Sequence, residues 1–398
     1  MSIKSIVNQF CFLPAAGAAL LLSACGGGGG SGGATQQGTL QVYLTDAPSC
    51  GFDQVNVTVS KIRVHQSASA GDNDSGWQDI TLNPARKINL LSLTNGVLQD
   101  LGQTPLPAGH YTQMRLVLAP NSSTGIPANS VVPENTSTEI AIDTPSAMQS
   151  GIKLNHEFDV AANTLADLVL DFDACKSIVA KGNGGFLLKP VISVTPKTVS
   201  GGITGYVASG LTGTMVTAQQ DGVVVKSTAP DAITGAFTLA PLPPSTTASY
   251  VVVITADGRT TAAVAGVPVA IGSNTPLSTN SAPIALPVSA MRTVSGTVTP
   301  ATAQSMVRAT QTFATGGPKV EIGFKYADLT AGAYSLSLPT AAPLLGKFGS
   351  GTLPITLTAD TTIAGKYAME ASATGFLTQA FAADIGSANV TKDIALVP

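Results

Sequence analysis

Apolar residues at every second position recur along this chain in short runs, a period that builds a half-buried β-strand and not a helix. Leu40, Val42 and Leu44 share one phase, as do Val55, Val57 and Val59. The second run then shifts phase to Ile62 and Val64, which predicts a bulge near Ser60 and Lys61. Met114, Leu116 and Leu118 form another such run, and further strands are expected over 139–142, 152–160, 165–172 and 186–194. Charged residues are only 11% and aromatics 5%, while β-branched residues alternate with glycine and proline turns. The expected class is all-β, with antiparallel sandwiches as its units.

A length of 398 residues suits two to three domains. After residue 198 the text begins to repeat. Gly205-Tyr206-Val207 is echoed by Gly296-Thr297-Val298, and Gly235-Ala236-Phe237-Thr238-Leu239 by Gly332-Ala333-Tyr334-Ser335-Leu336. Tyr250 and its following valines are echoed at Tyr367. The organisation read from these features is three tandem sandwiches over 38–198, 199–290 and 291–398. The two C-terminal copies are expected to bury their own cores and serve as a stalk or spacer.

The start of the chain has a different character. An apolar run from Phe10 to Leu22 ends in Leu22-Ser23-Ala24-Cys25 and passes into Gly26 to Gly30. The run is too short and too interrupted by Pro14 and Gly17 to span a bilayer comfortably. It resembles the bacterial lipoprotein signal, which implies removal of residues 1–24, acylation of Cys25 and a membrane contact made by lipid alone. In that resemblance, Gly26 in place of aspartate favours the outer membrane or cell surface. Residues 25–37 read as a flexible tether with a root-mean-square reach of about 20 Å.

Of four cysteines, Cys11 leaves with the signal and Cys25 carries lipid, so Cys50 and Cys175 remain. An even pair in an exported chain is expected to form a disulfide, with free thiols or a metal pair as the alternatives.

Two family resemblances follow from longer stretches. Residues 38–48 (Gly-Thr-Leu-Gln-Val-Tyr-Leu-Thr-Asp-Ala-Pro), 55–64 (Val-Asn-Val-Thr-Val-Ser-Lys-Ile-Arg-Val), 106–116 and 188–191 resemble the family named Domain of Unknown Function 4382. That resemblance implies a surface or periplasmic β domain and brings no activity with it. The two repeats are similar to carboxypeptidase-regulatory-like, transthyretin-type sandwiches, which implies accessory modules; the second copy departs through a longer middle over 340–362.

Candidate chemistry is sparse. Trp77, the single tryptophan, follows Asp72-Asn73-Asp74-Ser75-Gly76, so an indole beside Asp72, Asp74 and Asp79 could stack on a sugar ring or pack into a core. The same loop opens like a calcium site but lacks the distal glutamate. His65, His110 and His156 show no metal-ligand spacing, so no metal is expected. Neither a nucleophile elbow nor a phosphate-binding loop is present. Glu370 and Asn389 resemble the isopeptide-forming residues of pilin-type modules, but the opening strand over 294–299 lacks the lysine that bond requires. A net charge of −3 without basic clusters argues against nucleic acid as a partner. The expectation is a lipid-anchored envelope protein without cofactor or catalysis, with a binding or structural role. Its partner would be the membrane, through the lipid, and a glycan or envelope protein; the alternatives are a carbohydrate-binding surface lipoprotein or an accessory subunit of an exported enzyme.

Overall fold

The computed structural model describes residues 36–46, 51–145, 150–245, 249–349 and 353–398. Among the described residues strand accounts for 54% and helix for 4%, so the fold is all-β. Among the described residues no helix is long and apolar enough to cross a membrane.

The first core lies between two sheets. One is centred on Gln37–Asp46, which pairs in parallel with Leu165–Phe172 and antiparallel with Gln99–Pro107. The other is centred on Phe52–His65, flanked by Gln78–Asn89, Gln113–Leu118 and Ser130–Pro133. Leu40, Val42 and Leu44 face Val55, Val57 and Val59 across it, all fully buried. The register of Phe52–His65 shifts between Val59 and Lys61, the bulge expected from the change of phase, and Ile62 and Val64 thereby also point inward.

Two expected strands are each divided. Ile152–Leu154 and Phe158–Val160 belong to different sheets, and so do Phe186–Leu188 and Ile192–Pro196. In the second case Pro190, which has no N–H to donate, sits in the break.

The echoed residues occupy like positions in their strands and turns. Gly205 stands across from Phe237 in one copy, and Gly296 across from Tyr334 in the other. Gly235 and Gly332 adopt φ of +70° and +67°, and a Cβ on either would lie 1.9 or 2.3 Å from the carbonyl oxygen of Val207 or Val298. Only glycine fits such a turn. The Tyr250 hydroxyl donates to the Pro243 carbonyl at 2.8 Å, and the Tyr367 hydroxyl to that of Pro339 at 2.5 Å.

The cores do not stand apart as stalk segments would, and residues Gln36–Pro398 form one compact unit. In Tyr250–Thr255, Tyr250, Val252 and Ile254 enter the second core. Val251 and Val253, on the other face, pack with Ala263 against Phe313 and Val320 of the last repeat. Leu344–Lys347, from the longer middle of that repeat, adds in parallel to Ala262–Val267 and widens the second sheet. The insertion that looked like a departure from the repeat is thus a strand lent to its neighbour.

Candidate functional site

The Lys319–Tyr326 strand of the last repeat crosses to the second core, where Glu321 meets Gln219. The Gln219 side chain donates to the Glu321 carbonyl at 2.8 Å and accepts from its N–H at 2.7 Å, with both residues buried. Lys226 Nζ lies 2.9 Å from Asp171 Oδ2 of the first core, their side chains 3% and 12% exposed. Asn95 receives Thr238 N–H at 2.5 Å and donates its own N–H to Thr228 Oγ1 at 2.8 Å. All three cores are therefore joined through buried polar contacts.

Where they meet lies a cavity of about 410 Å³. The first core supplies Phe52 and Phe186, with ring centroids 5.5 Å apart and planes at 76°. The last repeat supplies Phe324 and Tyr326, 6.3 Å apart at 80°. Met215 of the second core completes the apolar wall. Both aromatic pairs have the edge-to-face geometry that ring quadrupoles favour.

The charged part of the wall is the short helix Ala174–Ser177, capped by Asp173, whose side chain accepts from Lys176 N at 2.9 Å. Lys176 Nζ stands 3.7 Å from Asp173 Oδ2, 3.9 Å from Glu321 Oε1 and 5.4 Å from the Phe324 ring centre. Burial pushes the carboxyls of Asp173 and Glu321 above their ordinary range, against the pull of Lys176 on both and of Arg308 on Glu321. Burial, with a contribution from Asp173, pushes the Tyr326 phenol up to about 12. Most of these groups balance one another, which makes the wall a polar clamp between cores with an apolar interior. The run Tyr250-Val251-Val252-Val253-Ile254, apolar on both strand faces, signals in the sequence that the second core is covered by another element, the one that supplies Phe313 and Val320, and not the cavity itself.

The residues singled out from sequence are placed elsewhere. Trp77 lies beside the outer surface of the first core, its ring centre 4.7 Å from the Arg63 guanidinium, 4.5 Å from that of Arg115 and 5.1 Å from the His65 ring. Its indole N–H donates to the Gly71 carbonyl at 2.9 Å. Asp72 accepts from the buried Arg115, Asp74 closes the loop on Gly71 N–H at 2.8 Å, and Asp79 holds Arg63 at 2.9 Å. The structure thus brings Trp77, Asp72 and Asp74 together, with the ring packed on cations and the carboxylates engaged in holding the loop.

His110 lies between Asp159 at 2.8 Å and Glu157 at 3.3 Å, and hydrogen bonds to those two carboxylates hold its pKa above the usual imidazole value. His156 is pushed the other way by burial. Among the described residues no three His, Cys, Asp or Glu side chains gather to hold a metal ion. Glu370 is bound by Arg308 at 2.8 Å and Lys319 at 2.6 Å, whereas Asn389 accepts from Thr293 N–H at 3.0 Å. Cys175 lines the cavity. Cys25 and Cys50 lie outside the described residues.

Solved structures similar to this chain include the Bacillus anthracis TIE protein, at 12% identity and a TM-score of 0.17, covering 91% of this chain and 50% of that one. This chain therefore spans half the length of that protein. A streptococcal ancillary pilin matches at 8% identity and TM-score 0.17, covering 91% of this chain and 100% of the pilin. The major pilin SpaA of Corynebacterium diphtheriae matches at 10% and 0.17, covering 90% and 99%. At such scores the likenesses carry no functional argument. No curated protein shows significant similarity to the chain. Residues 37–190, which contain most of the first core and end just past the cavity strand Phe186–Leu188, match the family model described as Domain of unknown function (DUF4382).

Proposed function

We propose that this is a lipid-anchored envelope protein with a non-catalytic binding role, in which three sandwiches act as one body around the cavity at their junction. The observation that carries the reading is the buried Lys226–Asp171 pair between the second core and the first, with the reciprocal clamp of Gln219 on Glu321 joining the last repeat to the second. Spacer modules have no need of buried polar contacts to the domain they display, whereas a composite binding unit does. The ionisable groups of the cavity wall largely hold one another, which suits positioning better than proton transfer.

Acylation of Cys25 would place this body at the outer membrane or cell surface on the glycine tether. The paired glycine turns and Tyr–Pro contacts support two copies of a carboxypeptidase-regulatory-like module over 199–290 and 291–398. A Cys50–Cys175 disulfide belongs to the same reading. Asp46, four residues before Cys50, accepts from Ala174 N–H at 2.9 Å, and Gly51, immediately after it, lines the same cavity as Cys175.

The test of anchoring is metabolic labelling with a fatty-acid probe in the wild type and in Cys25→Ala. The wild type should carry the label and the variant should accumulate as unlabelled precursor. Label persisting in the variant, or missing from the wild type, contradicts the reading.

A further inference from the structure

We propose that the junction cavity binds a small, uncharged, ring-bearing molecule that presents one acceptor oxygen to Lys176. This rests on the reading of the three sandwiches as one non-catalytic binding body. The volume of about 410 Å³ falls within the range of roughly 300–1,000 Å³ usual for small-molecule sites. Its walls present Phe52 with Phe186 on one side and Phe324 with Tyr326 on another. Flat apolar faces of a ligand gain most against such walls, since rings bury large area with few rotamers to freeze.

The polar requirement is set by Lys176. Its ammonium carries three donors, yet its two carboxylate neighbours stand at 3.7 and 3.9 Å, beyond hydrogen-bond length, and its side chain is only 15% exposed. A ligand oxygen facing Nζ supplies an acceptor at hydrogen-bond length, closer than either carboxylate. Charge balance decides what kind of oxygen. The wall holds Asp173 and Glu321 against Lys176 and Lys325, so it offers no excess of either sign. An added anion would crowd the two carboxylates that already flank Lys176, and an added cation would face the ammonium itself. An uncharged carbonyl or hydroxyl meets neither penalty.

The probe is Prodan, an uncharged naphthyl ketone whose emission shifts to the blue in apolar surroundings, with the anionic anilinonaphthalene sulfonate as comparator. The protein is the chain from Gln36 to Pro398, which encloses all three cores as one compact unit. One Prodan per chain should bind saturably with blue-shifted emission, at least tenfold more tightly than the sulfonate. Lys176→Met should weaken binding about tenfold. Thr255→Trp, on a different strand lining the same cavity, should abolish binding by filling it. Circular dichroism and melting identify either variant as folded, and two variants on separate cores keep the test independent of one misfolding.

Absence of saturable binding overturns the inference, and so does binding that neither folded variant reduces, or sulfonate binding as tight as Prodan. Whether the sandwiches form one body is read separately from the cooperativity of unfolding. Failure to bind in a singly melting chain removes the ligand and leaves the one-body reading. Separate melting of the sandwiches removes both.

Discussion

Replacing Lys226 with methionine removes the cation from a buried pair and leaves Asp171, 12% exposed, without its charge partner. Breaking a buried pair from one side costs about 3–5 kcal/mol, whereas replacing both members with apolar residues is often neutral. An unfolding entropy of about 2.1 cal/mol/K per residue gives roughly 0.76 kcal/mol/K for a body of this size, so Lys226→Met should lower its melting temperature by about 4–7 °C. Asp171→Leu should cost a similar amount, and the double variant Lys226→Met with Asp171→Leu should recover most of the loss. Scanning calorimetry and urea denaturation of the four proteins complete the cycle. If each single variant costs less than about 1 kcal/mol and the effects add, the pair behaves like an exposed surface bridge. The claim that these cores are packed together would then fail.

Three further outcomes follow from the same contacts. If Cys50 and Cys175 are joined, intact mass should show two thiol adducts only after reduction, and reduction should cost up to about 5 kcal/mol for a closed loop of about 125 residues. Burial raises Asp173 and Glu321 above the ordinary 3.8 and 4.5, so the folded state holds these protons more tightly and their contribution to stability falls as pH rises through that range. Glu321→Gln lacks this loss, and its stability relative to wild type should improve as pH rises above the ordinary 4.5; improvement toward acid would show the opposite shift. Gly332→Ala places a Cβ 2.3 Å from the Val298 carbonyl oxygen at a φ of +67°, which should destabilise by about 1–3 kcal/mol in chemical denaturation; a neutral effect would contradict the turn.

Strand period and repeat signals were legible because they depend on neighbours in sequence. Leu40, Val42 and Leu44 alternate inward as their spacing demands, and the bulge at Lys61 follows from one change of phase. The Gln78–Asn89 strand escaped because its exposed middle, Pro84 to Lys87, interrupts the apolar pattern. Ile152–Val160 read as one strand since the polar Asn155-His156-Glu157 resembles an outward phase, although the chain changes sheet there. The cavity depended on contacts between residues far apart in sequence. Phe52, Phe186, Met215 and Phe324 come from three cores, and nothing local joins them. The doubly apolar strand Tyr250–Thr255 did indicate a covering element, without saying that Phe313 and Val320 provide it.

The central claim is that the three sandwiches form one body, and the amide of Glu321 reports directly on the junction of the last two, because its acceptor is the Gln219 side chain across that junction, at 2.7 Å. NMR-detected hydrogen exchange of the chain from Gln36 to Pro398 measures the opening free energy at that site. If the sandwiches separate only on global unfolding, this amide should exchange as slowly as the core amides of Tyr250–Thr255, with the same dependence on denaturant. Fast exchange at Glu321, insensitive to denaturant while those core amides stay protected, would show that the junction opens on its own and would contradict the account.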